Sequence, residues 1–210
     1  MSELFSLRGR SVHLLPLSLD HVDDLLEAAT GDRSTFAYTP VPWDRATMTA
    51  YVHKAIAERD AGDQYPFVTW SVEAGRVVGS TRFYDLAWWD WSSLFPGSDA
   101  GRPTDRPDAA GIGYTWLDPS AQRGPVNTEA KVLMLDHAFD RWRVQRVRIQ
   151  TDVRNERSRA AISRLGCTLD GVLRADMPGA DGTVRDSAVY SMLADEWPGH
   201  RSRLTERLTG

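Results

Sequence analysis

The sequence predicts an α/β fold, one mixed α+β sheet with helices on both faces, and three observations predict it. Apolar periodicity switches between 2 and 3.6 in the order β-α-α-β-β-β-α-β-α-β-β. The 210 residues fall within the size of one domain, and an apolar fraction of 41% fills a core without staples. A charged fraction of 26% is that of a folded globular chain.

Each element has a local reason. Residues 10–17, RSVHLLPL, read as the first strand. Ser18 or Asp20 caps a helix over roughly residues 19–30, with Val22, Leu25, Leu26 and Ala29 on one face. A loop with two prolines runs from Ala37 to Trp43, and Asp44 or Thr47 opens a second helix that stops near Gly62. Residues 67–73 and 77–84 form a hairpin about Ala74-Gly75. An insertion loop, 86–108, breaks the pattern with Pro96, Pro103, Pro107 and a cluster of Trp88, Trp89 and Trp91. The strand IGYTWL (112–117) then leads through DPSAQRG into a helix from Pro125 to Arg141, striped by Ala130, Leu133, Met134 and Ala138. A strand at 144–151 precedes a helix capped by Asn155 and closed by Gly166. Strands near 168–174 and 185–193 follow, then a polar tail, 198–210.

Composition narrows the partners. A formal net charge of −4 argues against a general grip on nucleic acid, which wants a basic excess. The first residues lack an uninterrupted apolar run, and no stretch approaches membrane-spanning length. Cys167 is the one cysteine, so no internal disulfide forms, a cytoplasmic setting fits, and a buried inert thiol is the expected role. His13, His21, His53, His137 and His200 show no metal spacing, so no metal is expected; His137 reads as a satisfied packing residue.

Two places carry chemistry. The helix starting at Pro125 follows a strand and a short polar loop, so its free N–H groups and positive dipole end suit a phosphate, with Arg123 at hand. Most α/β chains have such a step, so the pattern alone is weak. Asn155 is first a cap. Ser158 shares the inward stripe of Ala161, Ile162 and Leu165, so its hydroxyl needs a partner, either the backbone one turn back or a ligand.

The segments IGYTWLDPSAQRGPVNTEAKVLMLDHAF, NERSRAAISRLGCTLDGVLR and RDSAVYSMLADEW together resemble the GNAT N-acetyltransferase superfamily, most closely its ribosomal-protein N-terminal acetyltransferase (Rim-type) branch. The resemblance covers most of the chain and is strongest from Ile112 to Trp197. It implies a GNAT-like fold, with a central mixed, mostly antiparallel sheet, in a single acyl-CoA N-acyltransferase domain over 1–210. It also implies that the backbone of Tyr114, Thr115, Trp116 and Leu117 pairs with the pantetheine arm of acetyl-CoA. Gln122, Arg123, Gly124, Pro125, Val126, Asn127 and Thr128 would then cradle the pyrophosphate, mainly through backbone N–H groups. Asn155 would bind pantetheine, Arg159 would join the cofactor side, and Ser158 would protonate the leaving thiolate, since no tyrosine follows on that helix.

Two departures bear on the chemistry. Pro125 replaces a glycine and removes one N–H donor, though it suits a first helical turn and leaves Gly124 as the expected flexible point. Gly111 stands where many relatives carry a glutamate, so a base must come from Asp85 or Asp118. A weakly basic α-amine needs less help than a lysine side chain. The expected reaction is therefore direct attack of a peptide or protein N-terminus on acetyl-CoA. Alternatives are a small amine such as an antibiotic or polyamine, a succinyl or other short acyl group, and a non-catalytic acyl-CoA binder. Tyr38, Trp43, Tyr84, Trp88, Trp89 and Trp91 are the acceptor-side candidates. Trp43 serves core packing equally well, and the Trp88–Trp91 cluster serves burial against the sheet or in a homodimer better than a lid. Tyr190 points either into the core or toward the cleft.

Overall fold

The structure is a computed structural model that describes residues 4–91, 93 and 105–209. Among these, eight strands form one sheet in the order β1-β2-β3-β4-β5-β6-β8-β7. The first five strands are β1 (Leu7–Arg8), β2 (Val12–Pro16), β3 (Tyr65–Ser71), β4 (Arg76–Ala87) and β5 (Ala109–Leu117), and each is antiparallel to the next. β6 (Arg146–Asp152) runs parallel to β5, and β8 (Val184–Leu193) lies antiparallel between β6 and the edge strand β7 (Thr168–Pro178). The helices are α1 (Val22–Ala28), α2 (Arg45–Asp60), α3 (Pro125–Asp136), α4 (Glu156–Leu165) and α5 (Trp197–Thr209).

The sheet is covered on both faces because its strands alternate between two cores. Val77 and Val78 are neighbours on β4, yet Val77 packs with Leu25 and Val52 while Val78 packs with Met134 and Leu135. The first core lies under α1 and α2; the second lies under α3 and also takes Ile162 and Leu165 of α4 and Leu204 of α5.

Capping explains the boundaries. Asp44 accepts the Thr47 N–H at 2.7 Å and so starts α2. Asn155 accepts the Ser158 N–H at 3.0 Å, and Gly166, at φ 103°, ends α4 in the left-handed conformation that glycine adopts freely.

Several expectations need correction. The first helix is shorter than expected and is preceded by a 3-10 turn, Leu19–His21, where the His21 ring bonds back to Ser18. The helix of Pro125 passes into a π-helical turn, His137–Trp142, and ends at Arg143 in the left-handed region. Leu86 and Ala87 belong to β4, with Ala87 opposite Ala109; residues 92 and 94–104 of the expected insertion loop lie outside the described residues. The segment 198–210, read as a polar tail, is helical to Thr209. Its apolar residues are sparse, but Trp197 and Leu204 are spaced to share a face and are both buried. Asp136 fixes this helix by accepting from Trp197 Nε1 at 3.1 Å and Arg201 Nε at 2.6 Å. His137 packs as expected, stacked on Phe5 at 4.1 Å, but its Nε2 has no partner among the described residues. Burial, and then the Arg141 charge, lower its pKa to about 4, so the ring is neutral.

Candidate active site

The sheet opens between its two central strands. β5 and β6, the parallel pair among the described residues, are in register only from Ala109↔Arg146 to Gly111↔Arg148. β5 runs on to Leu117 and β6 to Asp152, so past Gly111 the two diverge. That leaves the 112–117 edge of β5 facing a slot, with backbone groups able to receive an added strand. On its other side β5 carries a β-bulge: Gly113 faces Arg82 and Trp116 faces Ser80, so Tyr114 and Thr115 share one opposing residue. Tyr114 sits at φ 52°.

The slot leads to the N-terminus of α3. Asp118 caps the 3-10 turn Pro119–Ala121 through the Ser120 N–H at 2.8 Å and pairs with Arg76 at 2.7 Å, so this base candidate is committed to shaping the loop. Gln122 donates Nε2 to the Leu117 carbonyl at 2.8 Å, fastening the loop to β5. The left-handed residue is Arg123, φ 64°, and not Gly124, which is an extended N-cap at φ −101°. A Cβ added to Gly124 would meet nothing within 4 Å. The glycine therefore leaves open approach to the helix end instead of supplying a bend. Pro125 occupies the first helical position, and Val126, Asn127 and Thr128 form the first turn, where N–H groups lack helical acceptors. Asn127 Oδ1 is buried there with no partner among the described residues.

On the other side of the slot, α4 begins. Asn155 spends Oδ1 on the cap, and Ser158, half-buried, makes no side-chain hydrogen bond to the described residues. Arg159 points inward: its Nε donates to Tyr190 Oη at 3.2 Å and its Nη1 to the Val153 carbonyl at 3.3 Å. Tyr190 is thus a core residue, 4% exposed, and Arg159 is held by that core. Arg157 has the outward role. It donates to Gln122 Oε1 at 3.1 Å and to the Thr35 carbonyl at 2.6 Å, tying α4 to both the loop and the α1–α2 connection.

At the apex of the opening stand Tyr84, Asp85 and Arg148. A Cβ added to Gly111 would lie 2.8 Å from Tyr84 Cε1, and one added to Gly113 would lie 2.7 Å from it. The Tyr84 ring thus fills the room a glutamate at 111 would need. Burial pushes the Tyr84 pKa up, while the charge and hydrogen bond of Arg148 work in the other direction. Asp85, at φ 50° in a β4 irregularity, pairs with Arg148 at 2.9 Å. Tyr114 meets Tyr84 edge to face at 5.5 Å.

The remaining acceptor-side candidates are scattered. Tyr38 lies under the Arg154 guanidinium at 5.2 Å. Trp43 is 68% exposed, so it is not a core residue. Trp88 and Trp89 are exposed past the end of β4, and Trp91 donates Nε1 to Asp108 at 3.0 Å, which pins this turn to the foot of β5. The Trp116 side chain packs in the core under α1 and α2, edge-on to Phe36 at 6.1 Å, so only its backbone faces the slot. Cys167 is buried, with its pKa raised to about 12 chiefly by that burial, and is inert.

Sequence reasoning missed three residues. Arg82 is buried in mid-strand, Lys131 is buried on α3, and Glu129 accepts the Arg10 and Ser11 N–H groups at 2.8 and 2.6 Å, holding the β1–β2 turn against α3. A signal existed for Lys131: it precedes Met134, Leu135 and Ala138 at spacings of three, four and seven, which puts it on the inward face.

A parallel strand pair that parts beside a free helix N-terminus sets a strand edge next to an anion site, an arrangement that suits an extended ligand with a phosphate at one end. The comparisons agree. The model of the acetyltransferase (GNAT) domain matches residues 11–168. The putative ribosomal N-acetyltransferase YdaF of Bacillus subtilis is 34% identical over 92 residues, covering 44% of this chain and 49% of that relative, so the match spans about half its length. A GCN5-related N-acetyltransferase from Brucella melitensis superposes with TM-score 0.82 at 25% identity, over 98% of this chain and 86% of that one. RimJ of Mycobacterium smegmatis, solved in complex with CoA-disulfide, shares the fold with TM-score 0.76 at 21% identity, over 97% and 93% of the two chains. The chain belongs to the GNAT acetyltransferase family. Among the described residues no helix is long and apolar enough to cross a membrane.

Proposed function

We propose that this acetyltransferase takes acetyl from acetyl-CoA and transfers it directly to the α-amine of a peptide or protein N-terminus. The observation that carries the reading is the divergence of β5 and β6 past Gly111, which leaves a strand edge leading straight to the α3 N-terminus. The pantetheine amides add to the 112–117 edge, and the pyrophosphate rests on the N–H groups of the Gln122–Thr128 loop and first turn, less the donor that Pro125 lacks. Asn155 keeps Nδ2 for the pantetheine arm while Oδ1 caps α4. Ser158 donates a hydrogen bond from its uncommitted hydroxyl to the departing thiolate, helped by the positive end of α4, and the released thiolate takes its proton from solvent.

The acceptor arrives at the apex. Its ammonium proton passes to Asp85, directly or through water, because Asp85 stands at the apex beside Arg148 whereas Asp118 caps the loop beyond Leu117. An α-amine, with a pKa near 8, is already partly neutral at pH 7, so an exposed carboxylate suffices where relatives place a glutamate. The putative ribosomal N-acetyltransferase among the relatives favours a protein acceptor over an antibiotic or polyamine. A thiol-release assay with acetyl-CoA tests the reading against a panel of N-terminal peptides, polyamines and aminoglycosides, with succinyl-CoA alongside. Turnover with peptides alone supports it, and turnover confined to small amines overturns the acceptor.

A further inference from the structure

We infer that Arg82 is an acceptor-binding residue: the free edge of its guanidinium takes a carboxylate of the amine substrate, so the preferred acceptor is an acidic one. The inference rests on the transfer reading above. Arg82 projects from β4 toward α2 and is 2% exposed. Its guanidinium is sandwiched between Tyr114, 4.1 Å from the ring centroid, and Tyr51, at 4.9 Å. Nη1 is satisfied by Gln64 Oε1 at 2.9 Å and Glu58 Oε2 at 3.4 Å. Nε and Nη2 have no partner among the described residues.

Those two atoms are the matched pair. In a guanidinium, Nε–H and the neighbouring Nη2–H lie parallel on one edge, the fork that fits a carboxylate with two hydrogen bonds. A cation with that edge unfilled in the interior is costly, and a fully packed core would place an acceptor there, as it does for Nη1.

The location suits a substrate. Tyr114, one wall of the sandwich, is 46% exposed, stands on the β5 bulge, and touches Tyr84 at the apex of the slot. Tyr114 covers one face of the guanidinium, so the subsite requires its exposed side chain to move before a carboxylate reaches the Nε/Nη2 edge. Two sources share the chemistry, an N-terminal aspartate or glutamate of a peptide and a free amino acid.

The test measures kcat/KM with saturating acetyl-CoA for matched acceptors: peptides beginning with Asp or Glu against Asn or Gln, and a free amino acid against its amide. Wild type should favour the carboxylate of a pair by about tenfold or more, since a charge-assisted fork is lost in the amide. Arg82→Lys should erase that preference while CoA affinity holds; because a buried substitution can unfold the chain, Tyr114→Ala serves as the second variant, changing the preference from outside the core. Preference within the peptide pairs alone assigns a side-chain carboxylate, and preference within the amino-acid pair assigns the free acid. Equal kcat/KM for acid and amide in an active enzyme overturns the Arg82 subsite alone. No thiol release with any acceptor overturns the transfer reading and the subsite with it.

Discussion

Ser158 stands at the first turn of α4 with its amide held by Asn155 and its hydroxyl uncommitted. If that hydroxyl donates to sulfur as charge develops, Ser158→Ala lowers kcat by about 10²-fold and leaves CoA affinity unchanged, the low end for general-acid catalysis because a thiolate leaves readily. Steady-state kinetics with calorimetry of CoA binding checks this; a full kcat removes the residue from the chemistry. Lys131 makes a different kind of prediction. It is 5% exposed, and among the described residues its ammonium meets only the hydroxyls of Thr115 at 2.7 Å and Thr81 at 3.0 Å. Burial lowers its pKa from 10.5 to about 7. Between those values the unfolded chain binds a proton that the folded chain releases, so stability rises as pH climbs from about 7 toward 10.5. Thermal unfolding of wild type across that range should show the rise, and Lys131→Met should flatten it and raise Tm at pH 7. An identical pH slope in the variant would exclude Lys131 as the source.

At the scale of elements, the β4–β5 junction makes the site. Tyr84 lies on β4, the glycines it covers lie on β5, and Arg148 reaches both Tyr84 and Asp85 from β6. Gly111→Glu should therefore not restore a family-like base but overpack the junction, costing about 1–3 kcal/mol. Tyr84→Ala in the same chain should recover part of that loss. Urea unfolding of the single and double variants checks the coupling, and strictly additive losses would show that the ring and position 111 do not compete. The strand–loop–helix step into Pro125, the Asn155 cap and the inward Ile162 and Leu165 were legible in the sequence because each is set by residues within a few turns of one another. The divergence of β5 from β6 was not, because parallel register depends on residues 37 positions apart, as in Ala109↔Arg146. Gly124 was expected to be the flexible point because glycine has the widest backbone freedom, yet the loop places its left-handed conformation on Arg123.

For the whole molecule, the sheet's two halves meet through three residue pairs at Ala109–Gly111, and a ligand in the slot would bridge the open remainder. CoA at 100 times its Kd should stabilise the fold by about 2.7 kcal/mol, a rise in Tm of about 5–10 °C for a chain of this size. The resemblance carried the fold class correctly because the motif order survives where single residues depart. It could not reveal the buried Arg82 or α5, which rest on contacts between residues far apart in the sequence, such as Arg82 with Gln64 and Asp136 with Trp197. The most direct measurement of the central claim is thiol release from acetyl-CoA in the presence of a peptide with a free α-amine and of the same peptide already N-acetylated. Acetyl transfer to an N-terminus predicts saturable release with the free peptide, none with the blocked one, and a product acetylated at the first residue. Release that is equal for both peptides, or acetylation at a lysine side chain with the α-amine untouched, would contradict it.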